Sequence, residues 1–279
     1  MDHLQIERRP QLREPVAFVA FAGWNDAASA ATNAARFMVR RLRARKFASI
    51  DPEDFFEFSR SRPNVRIDLS QSRELSWPTC DFFYARNPSG DHDVIIAIGV
   101  EPHLRWKTFA SVYGSLFSEL GVTLAVSLGA MMADVPHTRP VRVTGTAIDA
   151  RVGAKLNLST SRYQGPTGIV GVLQDTMRSS GVGTASFWAN VPHYITTAQN
   201  PLATKALLVR AQAMIGVEFD FTNLARAGDR FISEVDTAIS GNPEIVEYVK
   251  RLEAAVDSGE ADSQADSQAE EPNAQAPVE

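Results

Sequence analysis

Val94-Ile95-Ile96-Ala97-Ile98-Gly99-Val100, broken off by Glu101-Pro102-His103-Leu104-Arg105, decides the fold class of this 279-residue chain. The run is apolar on consecutive positions, whereas a half-exposed strand would alternate. Its shortness, its β-branched residues and the Pro that closes it favour strand over buried helix. Such a strand needs cover on both faces, as in a parallel sheet between two layers of helices. Three further runs share this character: Val16 to Phe21, Val122 to Leu128 and Thr184 to Val191. They lead into Gly23-Trp24-Asn25-Asp26, into the stretch reaching His137-Thr138-Arg139, and into Pro192-His193-Tyr194. In an open α/β sheet, ligands sit beyond the carboxyl ends of the parallel strands. Asn25, Asp26, Glu101, His103, Arg105, His137, Arg139, His193 and Tyr194 therefore read as one candidate pocket.

Helical spacing fills the gaps between the runs. Ala27, Ala31, Ala34, Met38 and Leu42 form one stripe, with Asn25 or Asp26 as its cap. Phe109, Val112, Leu116 and Leu120 form another, closed by Gly121. Val141 to Ala147 reads as a less buried strand, and Gly165-Pro166-Thr167-Gly168 opens a helix through Met177. Residues 51–93 are less regular: Val65 to Leu69 suggests a strand, Asn87 to Asp91 a turn, and the whole an antiparallel hairpin at a sheet edge. From Asn200-Pro201 the period is helical, over Leu202 to Ile215, about Leu224 to Ile239, and Pro243 to Val256. The expected architecture is α/β, a mostly parallel sheet flanked by helices, with a helical carboxyl-terminal subdomain and a disordered acidic tail. The expected divisions are 1–13 as an amino-terminal extension, 14–199 as the α/β domain, 200–256 as the helical subdomain and 257–279 as the tail.

Asp257 to Glu279 holds seven acidic residues and no Lys or Arg, and it repeats Ala-Asp-Ser-Gln at 261–264 and 265–268. It lacks aromatic residues and cannot offset its ordering entropy by burial. Deleting residues 258–279 is expected to leave the melting temperature within about 2 °C, as checked by calorimetry. Removing the tail acids from the formal net charge of −5 leaves +2 for residues 1–256. That near-neutral body argues against nucleic acid, whose phosphates need clustered cations. Arg36, Arg40, Arg41, Arg43, Arg45 and Lys46 lie at the end of a predicted helix, where cations offset its dipole. No apolar stretch is long enough for a membrane helix, and Met1 to Pro10 is charged, so a cytoplasmic protein is expected.

The candidate pocket would hold an acid, proton carriers and anion-binding Arg forks, suited to acyl, glycosyl or phosphoryl chemistry. The same residues could equally hydrogen-bond loops to one another. Gly165, Thr167 and Gly168 could bind an anion through free N–H groups at a helix start, or form a simple turn capped by Thr167. The chain has no Gly-x-x-x-x-Gly-Lys, no Gly-x-Gly-x-x-Gly and no Gly-x-Ser-x-Gly. Its five His have no paired helical spacing and Cys80 stands alone, so no metal, cofactor or disulfide is expected.

Phe21-Ala22-Gly23-Trp24-Asn25-Asp26-Ala27, Asp134-Val135-Pro136-His137-Thr138-Arg139-Pro140, and Val191-Pro192-His193-Tyr194 followed by Asn200-Pro201 resemble actinobacterial members of the proteasome assembly chaperone 2 family. Asp51 to Pro63 and Tyr163 to Leu173 fit the same pattern, so the resemblance spans residues 14–256. It implies a phosphorylase/hydrolase-like α/β domain, proteasome subunits as partners, and a homo-oligomer for which a trimer fits the fold. Some relatives dock through a terminal hydrophobic-Tyr-x motif, but Pro277-Val278-Glu279 lacks the Tyr, so binding is expected on the folded surface. Fold does not decide function. The family favours a non-catalytic interaction or assembly factor over an enzyme. The alternative is a nucleoside- or carboxylate-binding protein or enzyme, which would need the strand-end clusters to converge on an open pocket.

Overall fold

The computed structural model describes residues 3–68, 71–87, 89–161, 164–195 and 199–259. Chain order gives β1 (Leu4–Ile6), β2 (Val16–Ala22), α1 (Ala30–Arg41), β3 (Arg45–Ile50), β4 (Asn64–Ile67), β5 (Arg73–Ser76), β6 (Cys80–Ala85) and β7 (Val94–Val100). It continues with α2 (Trp106–Glu119), β8 (Leu124–Ala133), β9 (Val143–Ala147), α3 (Ala150–Leu156), β10 (Ser159–Thr160), α4 (Ile169–Ser179) and β11 (Gly183–Pro192). Three helices follow: α5 (Pro201–Ile215), α6 (Thr222–Ile239) and α7 (Pro243–Asp257). The main sheet runs β1-β3-β6-β7-β2-β8-β11-β9-β10. Its centre, β7-β2-β8-β11, consists of the four apolar runs, paired parallel throughout. The flanks are antiparallel at β1/β3, β3/β6, β6/β7 and β11/β9.

Two cores cover the two faces, as the continuous apolar character of the central strands requires. One lies under α2 and α4, where Phe109, Tyr113, Phe117, Leu173 and Met177 meet Phe21, Ile95 and Ala97. The other lies under α1 and α5, where Ala31, Ala34, Met38, Leu207 and Ala211 meet Phe18, Ile96 and Val126. The Ala-rich faces of α1 and α5 let those helices lie close to each other and to the strands.

The structure moves some sequence-based boundaries. β8 starts at Leu124 and runs past its apolar stretch to Ala133, because all ten of its residues pair with β11. α1 starts at Ala30, after a short 3-10 turn at Ala27–Ser29. β4 and β5 form a separate two-stranded sheet whose residues are all exposed. The end of the Val65–Leu69 stretch lies outside the described residues, as does the acidic tail from Glu260 onward. No helix among the described residues is long and apolar enough to cross a membrane.

Connectivity creates the site. β2 leads into α1 on one face of the sheet, whereas its neighbour β7 leads into α2 on the other. Chain leaving adjacent parallel strands in opposite directions opens a crevice at their carboxyl ends. Asn25 and Glu101 sit there.

Candidate functional site

The loop after β2 turns back on itself. Ala28 and Ser29 adopt φ of 52° and 55°, a left-handed conformation that is costly for non-glycine residues and persists only when the surroundings enforce it. Asp26 is part of that enforcement: its Oδ1 accepts from Ala31 N at 2.7 Å and Thr32 N at 3.2 Å, and its Oδ2 accepts from the Thr32 hydroxyl. The carboxyl thus caps α1 across the irregular turn. Burial raises its pKa, while the Thr32 and Ala31 hydrogen bonds and the charge of Arg36 pull the other way.

Glu101 lies across the crevice from this loop. Its Oε1 accepts from Ile169 N at 2.9 Å, so the chain's own carboxylate occupies the amino terminus of α4. Gly23, at φ +136°, and Gly168 make room for it. A Cβ on Gly23 would stand 3.3 Å from Glu101 Oε2, and one on Gly168 would stand 3.0 Å from Oε1 and 2.9 Å from Asn25 Nδ2. Asn25 and Glu101 therefore meet over Gly168. Asn25 is 2% exposed and its Nδ2 has no hydrogen-bond partner among the described residues, although its backbone carbonyl accepts from Ala130 N at 2.9 Å. The Thr167 hydroxyl donates to Gly168 O at 3.4 Å, and no side chain caps α4 from its own N-cap position.

His103 and Arg105 face another way. His103 Nδ1 accepts from Glu57 N at 3.1 Å, and Arg105 pairs with Asp54. Both tie the turns of residues 51–58 to the start of α2.

A third group gathers where the β8 and β11 ends meet the helical hairpin α6–α7. The His137 side chain is fully buried, and its Nε2 donates to Asp236 Oδ1 at 3.1 Å. Nδ1 is then left to accept from the Tyr194 hydroxyl at 2.8 Å, whose oxygen also accepts from His137 N at 2.9 Å. Burial pushes the Tyr194 phenol up to about 12, so it donates as the neutral group. Asp134 receives the Tyr248 hydroxyl at 2.9 Å and lies 3.0 Å from His193 Nδ1. Arg139 grips Asp257 at the end of α7 in a bidentate pair of 2.8 and 2.7 Å and also reaches Glu253. The Arg139 hydrogen bonds hold the Asp257 carboxyl below its ordinary range.

These contacts form a latch that fastens α6 and α7 to the strand ends. Both ring nitrogens of His137 are committed, so it offers no free base. His137→Ala is expected to cost about 2 kcal/mol, because it empties the space of a fully buried ring and removes its hydrogen bonds to Tyr194 and Asp236. Hydrogen exchange should then quicken in α6, which carries Asp236, while the central strands stay protected; unchanged α6 protection would show that the latch does not hold the helix.

The nine pocket candidates thus share one end of the sheet but divide into three groups, with Glu101 bonded to Ile169 and His137 to Asp236 and Tyr194. Large apolar side chains are exposed at the same end of the sheet. Trp24, Leu104 and Met132, from the loops or ends of the adjacent strands β2, β7 and β8, are 54%, 48% and 53% exposed. All three stand at the carboxyl ends of neighbouring strands. Sequence reading placed Trp24 and Leu104 inside polar clusters without marking them as a surface. The signal available was a large apolar residue within a polar loop. It missed Asp236, Glu253 and Asp257 because nothing in the helical period tells a latch acid from a solvated one. A separate cleft of about 360 Å³ lies between α5 and residues 139–143. No group of metal-binding side chains occurs among the described residues.

Residues 20–239 match the model of the PAC2 family. A PAC2 family protein from Streptomyces avermitilis is similar at 38% identity and a TM-score of 0.78, covering 84% of this chain and 99% of that one. A proteasome-assembly chaperone homologue of Mycobacterium tuberculosis is also 38% identical over the same shares, at a TM-score of 0.75. An archaeal proteasome activator of Pyrococcus furiosus, at 17% identity and a TM-score of 0.69 over 85% of this chain and 99% of that one, shares the fold. No curated protein matches the chain.

Proposed function

The chain belongs to the PAC2 family, and on that premise we propose that it is a non-catalytic interaction protein of the proteasome-assembly-chaperone kind, acting on proteasome subunits in the cytoplasm. One observation carries the reading: apart from the Asn25 amide, the polar candidates at the strand ends are engaged by partners within the chain, while Trp24, Leu104 and Met132 are exposed at the same end of the sheet. Large exposed apolar residues clustered on a folded surface mark places where proteins meet, and Trp is prominent among the residues that dominate such contacts. Similarity to the mycobacterial chaperone homologue supports the same reading. Binding of a nucleoside or a carboxylate stands second, because the nine candidates divide into separate groups instead of lining one cavity.

The reading includes a homo-oligomer, with a trimer the expected form. The β4–β5 hairpin supports it. Val65, Ile67, Leu75 and Trp77 are 42% to 73% exposed. A lone two-stranded hairpin is marginal without packing on one face. Light scattering should give more than one chain's mass, and Ile67→Lys should lower it.

The test is a pull-down with assembled and unassembled proteasome α-subunits, run beside a thermal-shift screen of nucleosides, phosphate and carboxylates. Capture of unassembled subunits by the full chain, retained on deletion of residues 258–279, is expected. A specific small-molecule shift without subunit capture would favour the second reading.

A further inference from the structure

The cleft between α5 and residues 139–143 points to an occupant not yet accounted for. Leu202, Ala206 and Val209 recur at helical spacing along α5 and face Val141 and Val143, giving an apolar floor. Lys205 and Arg210 flank that floor on α5, Arg139 stands at its other side, and no acidic side chain lines it. Lys205 and Arg210 make no ion pair or hydrogen bond among the described residues. Beside the cleft, β10 pairs only with Thr146 and Ala147, so β9 has no strand along its outer edge at Val143, Thr144 and Gly145 among the described residues. A cation-rimmed apolar groove next to an open strand edge suits an extended acidic segment that adds main-chain hydrogen bonds to the edge.

The chain carries such a segment nearby. Arg139 belongs to the cleft and also holds Asp257, the last residue of α7. Residues 260–279, which follow, include six acidic residues and no Lys or Arg. Laid out as a strand, positions 261 to 269 present only Ala and Ser on odd numbers, while positions 262 to 270 present only Asp, Gln and Glu on even numbers. Small side chains allow close approach to the floor, and acids on the other side can reach Lys205 and Arg210. Five residues beyond Asp257 span up to about 17 Å, and a short tether gives an effective concentration in the millimolar range. We propose that residues 261–270 occupy this cleft in the same chain, with Asp262 and Asp266 against Lys205 and Arg210. The proposal goes beyond subunit binding and stands or falls apart from it.

Zero-length carbodiimide cross-linking of the full chain, read by mass spectrometry at dilute protein concentration, tests it. Lys205 should join to Asp262 or Asp266 within one chain. Arg210→Glu should reduce that product at least about fivefold, as should about 0.5 M NaCl, which screens exposed charge. Asp262→Asn with Asp266→Asn should remove it. Lys250, close to the start of the tail in sequence, reports collisions due to tethering alone. If Lys250 products exceed those of Lys205, or if Arg210→Glu leaves the Lys205 product unchanged while circular dichroism shows an intact fold, the proposal is overturned. Lys205 products that link two chains and rise with concentration would overturn it in favour of a second copy's tail.

Discussion

Tyr113→Ala is expected to cost about 4 kcal/mol, among the largest losses any single core truncation here can produce. Tyr113 is fully buried on α2, and its ring packs against Phe21, Phe82, Phe109 and Phe117 at centroid separations of 5.9, 4.8, 5.4 and 5.6 Å. Those four rings belong to the central strand β2, the antiparallel strand β6 and α2 itself, so truncation opens a void where three elements meet. The Tyr113 hydroxyl also meets the Cys80 thiol. Burial pushes Cys80 up to about 12 and raises Tyr113 well above its ordinary value, so both stay neutral. Tyr113→Phe keeps the ring and should cost only about 1 kcal/mol. Urea unfolding measures both. Equal losses for the two variants would mean that the hydroxyl contact, and not ring packing, holds this region. Tyr113→Ala should also expose Cys80 to alkylating reagents that the native chain resists.

The second large effect falls at the switch point. Asp26→Ala removes the acceptor for Ala31 N, Thr32 N and the Thr32 hydroxyl in a nearly buried place, and should cost about 3 kcal/mol. Asp26→Asn keeps an oxygen for the two amides, and its amide group can donate to Thr32, so it should cost much less. pH separates the variants further. Burial raises the folded-state pKa of Asp26 above its ordinary 3.8. The stability linked to the neutral acid is therefore fully present below 3.8 and is lost as pH rises through the folded value. Asn has no such loss, so Asp26→Asn should improve relative to the native chain as pH rises across that window. A gap between the two that stays constant with pH would mean that ionisation of Asp26 does not burden the fold.

Sequence legibility followed the physics of burial. The four central strands could be read because each is apolar on consecutive positions, and only a doubly covered strand demands that. The β8 boundary was harder: Gly129, Ala130 and Met131 carry no strand signal of their own, and pairing with β11 recruits them. The start of α1 was displaced because Asp26 caps over a strained turn, a long-range fit that spacing cannot encode. At the strand ends, Asn25, Glu101, His137 and His193 were legible as chemistry-bearing residues by position. Their division into separate hydrogen-bonded groups was not legible, since it depends on Ile169, Asp236 and Asp257, which lie 68, 99 and 118 residues away from their partners Glu101, His137 and Arg139.

Titration of unassembled proteasome α-subunits with the native chain and with Trp24→Glu tests the proposed interaction surface most directly. Trp24 is exposed, so the substitution should leave the melting temperature unchanged while weakening subunit binding at least about tenfold, the loss expected for a central aromatic contact. Native affinity in the Trp24→Glu chain, or no binding by the native chain at all, would contradict a role for the strand-end surface in assembling subunits.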